Sequence, residues 1–136
     1  MVFKATKEIY FCYGHRLLNY EGPCKHPHGH NAKADIEIER EILDSRGMVI
    51  DFGEIKDIIK KWIDDHLDHK MLLHRSDPLL PAFQAQNEPV YIFDDNPTAE
   101  NVARVIYEYG RSQNLAISEV RVWETTTSYA TYRGEK

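Results

Sequence analysis

"NAKADIEIERE", residues 31–41, alternates without a break. Ala32, Ala34, Ile36 and Ile38 fall on one side, and Lys33, Asp35, Glu37 and Glu39 on the other. Successive side chains of an extended chain point to opposite faces, so the stretch predicts an antiparallel strand with one buried and one wet face. Upstream, "FKATKEIYFCYGH" (3–15) sets Phe3, Ala5, Ile9, Phe11 and Tyr13 at odd positions. It predicts a partner strand ending near Gly14. "LDSRGM" (43–48) reads as a turn.

The period then changes. In "IDFGEIKDIIKKWIDDHLDH" (50–69), Phe52, Ile55, Ile58, Ile59, Trp62, Ile63 and His66 follow helical spacing. Asp51, with Glu54 three residues on, resembles a capping box at its start. Residues 74–95 hold three prolines and little periodicity. They predict mostly loop, with a short strand at Val90–Phe93. "NPTAENVARVIYEYG" (96–110) predicts a second helix with a stripe of Val102, Ala103, Val105, Ile106 and Tyr109, ended by Gly110. "ISEVRVWE" (117–124) and "YATYR" (129–133) predict two last strands joined by "TTTS". The expected order is β-β-α-α-β-β, an α+β class with a four-stranded antiparallel sheet and two helices on one face. Such a sheet leaves two edges, which favours a symmetric oligomer.

At 136 residues, with 42% apolar and 29% charged content, the chain has the size and composition of one soluble domain spanning 1–136. No stretch approaches the roughly 18 apolar residues of a membrane helix. The start "MVFKATKEIYF" has early charges and no long apolar run, so no signal peptide is expected and the cytoplasm is the expected compartment. A net charge of −5 argues against nucleic-acid binding, which needs a basic face. The two cysteines, Cys12 and Cys24, suit a reducing compartment. Cys12, inside an aromatic run, reads as a small buried hydrophobe.

"CKHPHGH" (24–30) carries the chemistry. His28 and His30 share a strand face and lie roughly 6.5 Å apart along the chain, close enough to converge on one zinc. An isolated pair of this kind is more often two hydrogen-bonded turn histidines around Gly29. His15 shifts that balance. It shares parity with Phe11 and Tyr13, and in an antiparallel pair it meets the start of the second strand. Three histidines leave a fourth position open, as in a catalytic zinc site; Cys24 as a fourth ligand would make the site closed and structural. His26, between a lysine and a proline, ranks last. Asp68–His69 reads either as a solvated helix end or as an oriented general acid/base pair. Glu124 follows Val120 and Val122 in parity, so a carboxylate continues an apolar face, and such a group needs a partner. A ligand's flat amidine-like edge is one partner; a wet strand end is the plain alternative.

The chain resembles the 6-pyruvoyl-tetrahydropterin synthase/6-carboxytetrahydropterin synthase family. The matching pieces are "GHRL" (14–17), "CKHPHGHN" (24–31), "GMVIDFGEIK" (47–56), "LDHKML" (67–72), "NPTAEN" (96–101) and "ET" (124–125). They stand in family order over almost the whole chain. The resemblance implies the tunnelling fold, with sheets joined into an oligomeric barrel, usually a hexamer. It implies zinc on His15, His28 and His30, a catalytic group of Cys24, Asp68 and His69, and a pterin anchor at Glu124. The family pocket lies between subunits and uses the "NPTAEN" region, which adds Thr98 and Glu100 as substrate-binding candidates. Three residues between Cys24 and His28 resemble the bacterial 6-carboxytetrahydropterin synthases of queuosine synthesis. The implied reaction takes 7,8-dihydroneopterin triphosphate and water to 6-carboxy-5,6,7,8-tetrahydropterin, acetaldehyde and triphosphate. Elimination to the 6-pyruvoyl product is the alternative, and a non-catalytic structural-zinc module is a second. The triphosphate needs local cations, and Arg16, Lys25 and Arg133 stand near the motifs. "FCYGH" departs from the family, placing bulk where small residues are usual before the first histidine. Residues 74–95 are longer than in compact members.

Overall fold

The computed structural model describes residues 1–134. Two long strands, β1 (Phe3–His15) and β2 (His28–Arg40), form its centre. They pair antiparallel over their whole length, from Phe3↔Arg40 to His15↔His28. Ile9, Phe11 and Tyr13 of β1 and Ala32, Ala34, Ile36 and Ile38 of β2 are buried on one face, as the alternation predicts. A single turn of 3-10 helix (Pro23–Lys25) lies between the strands.

The first helix, α1 (52–66), is α-helical at Phe52–Ile55, widens into a π turn at Lys56–Lys60 and closes as α-helix at Lys61–His66. Asp51 caps it through the Gly53 N–H. Its buried stripe is Ile55, Ile59, Ile63 and Leu67, each 0% exposed. Phe52 and His66, expected in that stripe, are exposed instead. An ideal α-helix turns ~400° in four residues, so a strict four-residue stripe drifts by ~40° per step. The wide turn takes up this drift and keeps the stripe on the sheet.

The four-stranded expectation is corrected. Among the described residues the sheet has six strands, ordered β4-β3-β1-β2-β5-β6. Here β3 is Lys70–His74, β4 is Val90–Phe93, β5 is Ile117–Trp123 and β6 is Tyr129–Tyr132. β3 runs parallel to β1, and β4 parallel to β3, so the sheet is mixed. A short helix, α2 (Leu80–Ala85), links β3 to β4. Within residues 74–95 the expected strand at Val90–Phe93 is present as β4, and the rest after His74 is α2 with turns on either side of it. The element order becomes β-β-α-β-α-β-α-β-β.

α3 (Ala99–Ser112) starts at Thr98, whose hydroxyl accepts from the Asn101 N–H at 3.2 Å. Gly110 does not end it. The helix runs on to Ser112, and the chain turns at Asn114, which has φ 65. Gly110 is a contact residue instead: a Cβ there would stand 2.1 Å from Cδ1 of Ile117. α1 and α3 share one apolar core with the buried faces of β1, β2 and β5. The opposite face of the sheet is polar, with Lys4–Glu37 at 3.2 Å and Arg121–Glu119 at 2.7 Å. Among the described residues no helix is long and apolar enough to cross a membrane.

Candidate metal centre and substrate site

The β1–β2 register delivers the histidines. His15 stands opposite His28, and Tyr13 opposite His30. One nitrogen of each of His15, His28 and His30 lies within 4.8 Å of the other two. Nδ1 of His15 is 2.6 Å from the Pro97 carbonyl oxygen, and Nδ1 of His28 is 2.7 Å from that of His26. A carbonyl only accepts, so both rings carry their proton on Nδ1 and turn a lone pair outward at Nε2. Nε2 of His28 is buried with no hydrogen-bond partner. Burial, with a smaller push from the two neighbouring imidazoles, holds His15 below the ordinary imidazole range despite opposing pulls from Pro97 and Glu124. Neutral imidazoles with an orphaned nitrogen are what a divalent metal such as zinc requires, so the donor set fits that ion.

Glu124 follows the end of β5 on the same side, as its parity predicts. Its Oε2 lies 3.4 Å from Nε2 of His15 and 3.4 Å from Nε2 of His30. Tyr13 donates its hydroxyl to that same oxygen at 3.1 Å. Burial, reinforced by the adjacent Glu124 charge, pushes the Tyr13 phenol far above its ordinary range, so it keeps its proton. In the sequence Tyr13 reads only as a strand-face residue that adds bulk before His15. The signal was a polar-tipped aromatic in parity with His15.

Cys24 sits in the turn at Pro23–Lys25, half-buried, and its carbonyl accepts from the Leu17 N–H at 3.0 Å. It is not among the groups that converge with the histidines. Asp68 and His69 are adjacent, with His69 Nδ1 2.8 Å from Asp68 Oδ2. Burial opposes the Asp68 charge, but the Cys12 N–H and His69 outweigh it and hold its carboxyl low. Within one chain the thiol beside this pair is Cys12, not Cys24. Cys12, Asp68 and His69 offer ligand atoms within 4.8 Å of one another. Cys12 also donates its N–H to Asp68 Oδ1 at 2.9 Å, and its carbonyl accepts from the His69 N–H at 2.7 Å. His69 is exposed and held at φ 60. Cys12 is therefore half-exposed beside polar groups rather than a buried hydrophobe. A cleft of about 380 Å³, with Gly14 and Gly29 among its lining residues, joins Cys12 and His69 to the backbone around His30.

Thr98 serves as the α3 cap, and Glu100 is exposed in the first turn of α3. Arg16 is held by Asp77, at 2.8 Å from Nε and 2.5 Å from a terminal nitrogen, and the Asp77 side chain is fully buried. Asn96 grips the backbone N–H and carbonyl of Leu18 at 2.8 and 2.9 Å. The segment after His15 is thus pinned at both ends of the 74–95 stretch. Arg133 lies 3.6 Å from buried Glu119. Lys25 is exposed and makes no ion pair among the described residues.

A sequence profile of the 6-pyruvoyl tetrahydropterin synthase family matches residues 4–135. A 6-carboxy-5,6,7,8-tetrahydropterin synthase of Rickettsia felis is 36% identical over 136 residues, covering 94% of this chain and 98% of that one. An uncharacterised protein of Wolinella succinogenes superposes with a TM-score of 0.82 at 26% identity, covering 99% of both chains. The 6-pyruvoyl tetrahydropterin synthase of Caenorhabditis elegans shares the fold, with a TM-score of 0.72 at 22% identity over 99% of this chain and 97% of that one.

Proposed function

This chain belongs to the 6-pyruvoyl tetrahydropterin synthase family, and we propose that it is a zinc-dependent 6-carboxy-5,6,7,8-tetrahydropterin synthase. On this reading it converts 7,8-dihydroneopterin triphosphate and water to 6-carboxy-5,6,7,8-tetrahydropterin, acetaldehyde and triphosphate. It works as one cytoplasmic domain supplying queuosine synthesis. The observation that carries the reading is the convergence of His15, His28 and His30 beside Glu124, in a chain whose near-full-length curated relatives bear that activity.

Zinc bound by the three histidines would supply a Lewis acid to the hydroxyls of the substrate side chain. Glu124 receives the N–H edge of the pterin and so sets the register of the side chain. The Cys24 thiolate takes a proton from the side-chain carbon. Asp68 accepts from His69 Nδ1 and leaves Nε2 free to give or take a proton. Thr98 and Glu100 line the approach to the pterin.

Cys24 is not beside Asp68–His69 within one chain, so the reading requires a neighbouring copy to complete the site. The sheet edges at β4 and β6 suit such joining, in a barrel of six copies. The test is incubation of zinc-loaded protein with 7,8-dihydroneopterin triphosphate and identification of the pterin by mass. The 6-carboxy product supports the reading, and the 6-pyruvoyl product or intact substrate overturns it.

A further inference from the structure

Three atoms at the metal centre form a compact triangle. Nε2 of His15 and Nε2 of His30 are 3.1 Å apart, and Oε2 of Glu124 lies 3.4 Å from each. Ligands held about 2.0–2.1 Å from one tetrahedral zinc stand ~3.4 Å from one another. The triangle has the size of one face of such a shell. His28 Nε2, buried and unpartnered within 4.8 Å of both other imidazole nitrogens, supplies the remaining donor.

We propose that Glu124 is a fourth metal ligand in the substrate-free protein, and that Tyr13 holds it in that position. Tyr13 is 3% exposed, and its ring meets the His15 ring edge-on at 5.2 Å and the His30 ring at 5.7 Å. The same imidazoles that face the carboxylate therefore fix the phenol. Its hydroxyl, 3.1 Å from Oε2, orients that oxygen as a carbonyl orients a ligating histidine. An alanine at position 13 would carry no donor to do this. The centre is then closed at rest. Substrate would take the place of the carboxylate, leaving Glu124 free for the pterin edge.

This inference rests on the reading of the histidines as a zinc site, and the experiment separates the two. Apo protein is titrated with Zn²⁺ against a chromophoric chelator, and with Co²⁺ while the visible absorption is followed. Wild type, Glu124→Gln, Glu124→Ala, Tyr13→Phe and His28→Ala are compared, with circular dichroism to verify folding. Glu124 is 28% exposed at its side chain, so the isosteric amide is tolerated by the fold. Glu124→Gln is expected to weaken Zn²⁺ binding by about 10–100-fold and to lower the intense four-coordinate Co²⁺ bands. Tyr13→Phe is expected to weaken Zn²⁺ by about tenfold while keeping the band pattern. Glu124→Ala should regain the four-coordinate Co²⁺ bands when acetate is added. Zn²⁺ affinity within about twofold of wild type in Glu124→Gln, with an unchanged Co²⁺ spectrum, overturns the proposal and leaves the three-histidine site standing. Equal Zn²⁺ binding by wild type and His28→Ala overturns the zinc reading itself.

Discussion

Nδ1 of His15 lies 2.6 Å from the carbonyl oxygen of Pro97, 82 residues further along the chain. The bond ties the end of β1 to the turn before α3 and fixes the imidazole tautomer. Asn96 sets that turn through Leu18, and its own carbonyl accepts from Asn101 Nδ2 at 2.8 Å. Asn96→Ala should loosen the Pro97 carbonyl and weaken zinc binding by about 10–100-fold, although it is no ligand. Chelator competition measures this, and unchanged affinity would show that the tether does not orient His15.

Cys24 and His28 should separate by phenotype. Cys24→Ala is expected to retain stoichiometric zinc and lose turnover, since its thiol stands outside the histidine cluster. His28→Ala should lose both. Metal analysis beside activity decides, and zinc loss in Cys24→Ala would make the cysteine a ligand.

A site shared between copies predicts complementation. Cys24→Ala and His69→Ala should each be inactive alone. Co-expressed, they should recover up to roughly a quarter of wild-type turnover, the fraction of sites pairing two intact contributors at random in a symmetric oligomer. No recovery, with mixed oligomers demonstrated, would place the whole site within one chain.

Asp77 is fully buried against Arg16. Burial alone would raise its carboxyl, but the Arg16 hydrogen bond, the Leu79 N–H and the Arg16 charge hold it below the usual range. Its contribution is therefore complete above the unfolded carboxylate value of ~3.9 and is lost as pH falls through the lowered folded value. Asp77→Ala should cost on the order of 3 kcal/mol at neutral pH, because it strands the partly buried Arg16. It should also flatten the acid limb of stability against pH. Urea melts across pH 2–7 measure both, and an unchanged acid limb would assign that limb to other groups.

Gly110 faces Ile117 and Ile59 inside α3. Alanine is the better helix former by about 1 kcal/mol. The 2.1 Å approach to Ile117 Cδ1 lies in a packed core, where overpacking costs about 1–3 kcal/mol. Packing should win, so Gly110→Ala should lower the melting temperature. Adding Ile117→Val, which removes that methyl, should restore part of it. Failure of the second change to help would assign the loss elsewhere.

Particular residues show what was legible in the sequence. The alternation of Ala32 to Ile38 placed β2 and its buried face correctly, because a half-wet strand carries its period in its side chains. Parity also brought His15 to His28 and Glu124 to the same side. β3 was missed because Leu72 and Leu73 are both buried. A parallel strand covered on both sides does not alternate, and five residues are too few to reveal a period. Gly110 read as a helix stop because a buried contact and a C-cap use the same residue. The pairing of Cys12 with Asp68, and of Arg16 with Asp77, depends on tertiary approach across 56 and 61 positions, which no local pattern encodes.

The most direct test of the proposed activity is the ratio of acetaldehyde to triphosphate released from 7,8-dihydroneopterin triphosphate by the zinc-loaded protein. The 6-carboxy route releases one of each per turnover, so equal amounts are expected. Triphosphate without acetaldehyde would contradict it and assign the chain to elimination.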